Sequence, residues 1–297
     1  MNIQTIFFNA TDGVDLKGFI YKSKEKTQKI LISVHGMATN CIKQRDEKIA
    51  EKLNELNIDL LVFNNRGHDL ISYIKKENKE KKEIAGTSYE EISECYNDIL
   101  GAIKYSKKNG YDEIYLMGHS LGSTKIVYAY NKFLKENTDI VGKIKGIILL
   151  SLVDIPTASR IYLQDNFPAI VTYAKNMKKE GMENQLMPEK SFIHPISVKT
   201  FLRYTIENDD INFARFSDNL YNFEELNNIK VPLFMRWGNN KELILQKADE
   251  LCKFLQSKIK NEHLDIGYID EANHNYSGKE EILANEITKF IKKYDNN

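Results

Sequence analysis

Short apolar runs alternate with segments of 3.6-residue periodicity along most of the chain. The run KILISVHG at residues 29–36 is continuous and β-branched, which predicts a strand buried on both faces. DLLVFNNRG, EIYLMGHS, KGIILLSLVD, VPLFMRWG and HLDIGYID read the same way. Near the N-terminus, QTIFFNA and LKGFIYK flank Thr11-Asp12-Gly13, a hairpin signal. Helical patterns fill the intervals: about 42–57, about 122–136, about 241–260 and the final EEILANEITKFIKKY. In the third interval Ile244, Ala248, Leu251, Leu255 and Ile259 share one face. Ser88-Tyr89-Glu90-Glu91 reads as a capping box opening a further helix that closes near Asn109-Gly110. Strand–helix alternation of this kind predicts an α/β fold, a mostly parallel central sheet flanked by helices.

The rhythm breaks between residues 155 and 228. Four of the five prolines and many aromatics fall there, without a clear run of buried strands. We read a core formed by 1–154 and 229–297, and a helical cap inserted at 155–228. Its aromatics, among them Tyr162, Phe167, Phe192, Phe201, Tyr204 and Phe216, suit the cap's own core or the wall of a pocket. There is no internal repeat of 20–50 residues.

Composition narrows the function classes. Lys+Arg and Asp+Glu both total 42, so the net charge is zero, which gives no support to nucleic-acid binding. The charged run KKENKEKKE at 75–83 balances lysine with glutamate and reads as a solvated surface. Cys41, Cys95 and Cys252 are widely spaced and form no C-x-x-C pair, which argues against a disulfide framework or zinc site. No apolar stretch reaches the ~20 residues of a membrane span, and the N-terminus lacks a signal-peptide pattern. The expectation is a cytoplasmic protein without integral membrane association.

Within EIYLMGHSLG the apolar run ends in Gly118-His119-Ser120-Leu121-Gly122. G-x-S-x-G between a strand and a helix is a nucleophile elbow. The serine occupies a strained turn, and the two glycines make room for it. The N–H of Leu121 then opens a helix, where donors are free and the dipole favours an anion. Serine needs a base. Of six histidines, His274 lies in DEANHNYSGKE, a loop between the last strand and last helix that opens at the same sheet edge. His119 reads as polar support, His35 and His68 as turn-shaping residues, and His194 and His263 as surface residues. His35-Gly36-Met37 follows another central strand, so the Met37 N–H can join that of Leu121 around an oxyanion.

HGM at 35–37, NNRGHD at 64–69, GHSLG at 118–122, VPLFMRWGN at 231–239 and EANHNYSGKE at 271–280 together resemble the serine α/β-hydrolases of the esterase, lipase and acylhydrolase type. The resemblance implies an α/β-hydrolase fold. It also implies Ser120 as nucleophile, His274 as general base and Met37 and Leu121 as oxyanion donors, with His35, Gly36 and His119 beside the substrate. It departs at the acid. In Gly238-Asn239-Asn240-Lys241-Glu242, lysine holds the place where the family usually carries aspartate. Glu242, one position later, and Asp154, at the end of LLSLVD, are the two candidates. The implied activity is hydrolysis of a small-molecule carboxylic ester through an acyl-enzyme, with no cofactor or metal. A thioester, amide, peptide or lysophospholipid could serve the same machinery. Lys241 favours a non-catalytic binding protein on the same fold. Oligomeric state is not legible.

Overall fold

The computed structural model describes residues 1–77, 79–206 and 210–295. It opens with the expected hairpin, β1 (Asn2–Asn9) and β2 (Asp15–Lys22), joined through Gly13 at φ 83°. β3 (Lys29–Val34), α1 (Gln44–Glu55) and β4 (Asp59–Asn64) follow, then a small separate hairpin, β5 (Ser72–Ile74) and β6 (Glu83–Ala85). The charged run lies on that hairpin, where Asn78 falls outside the described residues. Next come α2 (Cys95–Lys108), β7 (Glu113–His119), α3 (Leu121–Glu136), the short α4 (Thr138–Val141) and β8 (Ile144–Leu150). α5 (Ile155–Leu163), α6 (Phe167–Lys179), α7 (Val198–Thr205) and the short α8 (Glu224–Asn227) occupy the stretch without strands. The chain ends with β9 (Leu233–Gly238), α9 (Ala248–Lys258), β10 (Leu264–Ile269) and α10 (Glu280–Tyr294).

Eight strands form one sheet in the order β1-β2-β4-β3-β7-β8-β9-β10. β1, β2 and β4 pair antiparallel; every pairing from β4 through β10 is parallel. The continuous apolar runs are explained by burial on both faces. In β3, Ile30, Ile32 and Val34 join a cluster with α2, α3 and α9, while Leu31 faces the other way, toward α1 and α10. Parallel pairing brings the C-terminal ends of β3, β7, β8 and β9 to one edge, where loops form a crevice.

Two helix expectations are corrected. Ser88 caps no helix: its hydroxyl donates to the Pro195 carbonyl oxygen at 2.6 Å. The helix is entered instead by a 3₁₀ turn at Ile92–Glu94, where the Glu91 carboxylate accepts from the Ser93 N–H. The predicted 241–260 helix begins only at Ala248. Residues 239–247 are a loop, and tertiary packing there overrides the helical spacing of Ile244.

Between Val153 and Ile211, α5, α6 and α7 share a separate apolar cluster that includes Phe192, Phe201 and Tyr204. Leu121 and Ile92 of the sheet-flanking segments belong to it, and Met37 packs against it. The elements therefore sit over the C-terminal ends of β3 and β7. Residues 207–209 of this stretch lie outside the described residues. Phe213, Phe216, Phe223 and Leu226 instead belong to the main core beneath.

Candidate active site

The elbow follows from steric necessity. A Cβ on Gly118 would lie 2.3 Å from the Gly122 carbonyl oxygen, and one on Gly122 would lie 2.1 Å from that of Val34. Both contacts are with backbone, so no side chain can be accommodated between β7, β3 and α3. Ser120 between them has φ 56° and ψ −124°, a strained conformation outside glycine. Its N–H donates to the Leu150 carbonyl at 2.8 Å. The Ser123 hydroxyl reaches the carbonyls of Gly118 (2.8 Å) and Leu150 (2.9 Å) and fastens the first turn of α3.

Gly36 abuts this turn: a Cβ there would lie 3.0 Å from the His119 carbonyl and 3.1 Å from the Ser120 Cβ. The buried His35 ring holds the loop. Its Nδ1–H donates to the Gly36 carbonyl at 2.9 Å, and its Nε2 accepts from the Asn65 N–H at 3.2 Å. Burial, with the nearby Lys125 charge, lowers its pKa to about 3, in keeping with one donor and one acceptor nitrogen. The N–H groups of Met37 and Leu121 have no acceptor among the described residues.

On the other side, β9 ends at Gly238, where a Cβ would meet the Ala272 carbonyl at 2.1 Å. The loops after β9 and β10 are thereby pressed together. Lys241 takes φ 54° and turns outward. That turn sends the Glu242 side chain inward, where it is 2% exposed. Four donors converge on its carboxylate. Oε1 accepts from His274 Nδ1–H and from the Leu243 N–H at 2.9 Å; Oε2 accepts from the Ser151 hydroxyl at 2.7 Å and the Gly238 N–H at 3.0 Å. Burial by itself would raise the Glu242 pKa. The hydrogen bonds from His274, Ser151 and Gly238 outweigh it and hold the carboxyl below its usual range.

With Nδ1 donating to Glu242, the His274 Nε2 is left as an acceptor. His274 and Ser120 both line one cavity of about 550 Å³, without a hydrogen bond to each other. The His119 Nε2–H donates to the His274 carbonyl at 2.7 Å and steadies the backbone that carries it. Burial, followed by the charges of Arg45 and His274, pushes His119 well below the usual imidazole range.

Asp154 stands apart from this group. It caps α5, accepting from the Thr157 N–H at 3.1 Å, and has no bond to His274. Burial raises its pKa. His194, read as a surface residue, lines the cavity half-buried, and burial lowers its pKa. Of the aromatics between residues 155 and 228, Tyr162, Phe192 and Phe216 line the cavity.

Two residues of the constellation carry no warning in the sequence. Ser151, with φ 47°, looks like a polar residue after a buried strand, yet it supplies a donor to Glu242. The Tyr276 hydroxyl lies 3.0 Å from Ser151 Oγ and donates to the Arg236 carbonyl at 2.8 Å. The strained serine one position past β8 becomes informative only when β9 is known to be its neighbour.

Residues 69–293 match the family described as protein of unknown function (DUF1749). The chain belongs to that family. No curated protein matches it in sequence. Solved structures with the same fold include Est1E from Butyrivibrio proteoclasticus with ferulic acid bound, at 17% identity and TM-score 0.69, covering 98% of this chain and 100% of that one. The α/β-hydrolase GrgF from Penicillium sp. sh18 aligns at 15% identity and TM-score 0.67, covering 99% of each chain. A thermostable carboxyl esterase from Bacillus coagulans aligns at 13% identity and TM-score 0.65, again over 99% of each. The DUF1749 chain has the α/β-hydrolase fold. Among its described residues no helix is long and apolar enough to cross a membrane, and no group of three or more His, Cys, Asp or Glu could hold a metal ion.

Proposed function

We propose that this DUF1749 protein is a serine hydrolase that cleaves carboxylic esters through an acyl-enzyme. The observation that carries the reading is the strained Ser120, opening on the same cavity as a His274 whose Nδ1–H is held by the four-donor carboxylate of Glu242. Ser120 Oγ attacks the ester carbonyl while His274 Nε2 takes its proton. The oxyanion is held by the N–H groups of Met37 and Leu121. His274 then protonates the departing alcohol, and water, deprotonated by the same nitrogen, hydrolyses the acyl-serine. Glu242 keeps the imidazole in the Nδ1–H tautomer and stabilises the imidazolium. His35, Gly36 and His119 act by positioning the two loops beside the substrate.

The neighbours of this fold that are esterases support this choice over the thioester, amide, peptide and lysophospholipid alternatives. The outward turn of Lys241, with Glu242 directed inward to His274, supports the catalytic reading over a non-catalytic binder. We assign residues 155–228 as the cap of the site, anchored from Phe213 onward in the main core. A fluorophosphonate probe should label the wild type and fail to label Ser120→Ala. Absence of labelling of the folded wild type would overturn the assignment.

A further inference from the structure

Lysine and arginine line the cavity on one side only, in a way that follows the sheet order. Ser120 stands at the end of β7, between β3 on one side and β8 and β9 on the other. From the β8 and β9 side the lining is mixed: Val153, Ile155, Ala158 and Leu243 to Leu245 supply apolar surface, beside Asp154, Thr157, Glu242 and Gln246. From the β3 side come two cations, Lys43 and Arg45, at the start of α1.

Their donors are only partly taken up by direct contacts. Arg45, 5% exposed, directs Nε and Nη2 to Asp46 Oδ1, both at 2.9 Å. Its Nη1 has no partner among the described residues, and neither has the half-buried Lys43 ammonium. The other carboxylates in the vicinity keep their charge but make no direct contact with either cation. Asp69 is bonded to His68 and Asn40, at 2.9 and 3.0 Å. Glu242 is taken by its four donors, and Asp154 caps α5 on the β8 side. The Lys43 ammonium and Arg45 Nη1 are thus left on this wall of the cavity as cationic donors without a direct carboxylate contact. Partial burial, then the Arg45 charge, pushes the Lys43 ammonium below its usual range, and an anion would relieve both.

We propose that the substrate is an ester joining an apolar moiety, seated against α5 and residues 243–245, to a moiety bearing one carboxylate, bound by Lys43 and Arg45. This rests on the hydrolase reading only for the ester bond; the cationic subsite stands by itself. Monohexyl succinate and its neutral methyl ester, titrated onto Ser120→Ala, read the subsite without turnover. The anion should bind about tenfold more tightly at low ionic strength, about 1.4 kcal/mol, and the ratio should shrink with salt. Lys43→Met should bring the ratio toward one, and Lys43→Arg should restore it. Equal affinities for the two esters on Ser120→Ala, or a ratio unmoved by Lys43→Met, overturn the proposal. Turnover of the same pair by wild type reads the chemistry separately: anion preference in binding without any hydrolysis keeps the cationic subsite and overturns the esterase assignment.

Discussion

Replacing Glu242 by glutamine tests the site at the point where the sequence departs from the serine α/β-hydrolase pattern it resembles. The carboxylate accepts four hydrogen bonds, two at each oxygen. An amide accepts only at its oxygen and donates at its nitrogen. If the amide oxygen faces His274, the NH₂ group confronts the Gly238 N–H, and one buried donor loses its acceptor. If the amide is flipped, the NH₂ confronts His274 and Leu243, and the imidazole must move its proton to Nε2, where it no longer acts as a base. Either arrangement leaves an unpaired donor costing about 1–3 kcal/mol of stability. Either also removes the negative charge that, in the proposed mechanism, stabilises the imidazolium. The expected loss in kcat is about 10²- to 10⁴-fold, or about 2.7–5.4 kcal/mol of barrier at 1.36 kcal/mol per decade. Hydrolysis of a p-nitrophenyl ester at neutral pH measures it, with a thermal melt to show that the variant is folded. Asp154→Asn should lose little beyond the weakening of one helix cap. Glu242→Gln retaining more than a tenth of wild-type kcat, or Asp154→Asn losing a hundredfold while folded, would refute the assignment.

The same carboxylate shapes acid stability. Its folded pKa lies below its unfolded value, so its contribution is present above about pH 4.3 and disappears as pH falls through the folded value; chemical denaturation between pH 3 and 7 should show a shallower acid limb in Glu242→Gln than in wild type. Ser151→Ala removes one donor from Oε2 and so raises the Glu242 pKa; the acid limb of the activity profile should move to higher pH, with kcat down roughly 3- to 30-fold, or about 0.6–2 kcal/mol. Gly122→Ala places a Cβ 2.1 Å from a backbone oxygen and should cost more than about 3 kcal/mol in a denaturant melt, whereas Gly142→Ala, whose nearest neighbour is 3.7 Å away, should be nearly silent. All three cysteines are buried, and burial pushes the thiols of Cys41 and Cys252 up to about 11, so a disulfide-exchange reagent at pH 8 should label none in the native protein and three after unfolding.

What could be read from the chain alone was whatever local pattern dictates. Continuous β-branched runs specify strands buried on both faces, and their alternation with helices specifies a parallel sheet. Gly118 and Gly122 around Ser120 announce a backbone too crowded for a Cβ. These signals are short-range or periodic, so they survive without coordinates. What lay beyond reach depends on strand order and loop packing. The helical spacing of Ile244 was genuine, but residues 239–247 are held as a loop with Gly238 pressed against Ala272, and that loop aims Glu242 rather than Lys241 at His274. Ser151, with Tyr276 behind it, reaches the Glu242 carboxylate only because β8 and β9 are neighbours. Lys43 and Arg45 look like ordinary helix-start charges until the fold sets them on the wall of the cavity that Ser120 and His274 also line. A hydrogen bond between residues ninety positions apart leaves no periodic trace in the sequence, so only the folded chain decides which polar side chains meet.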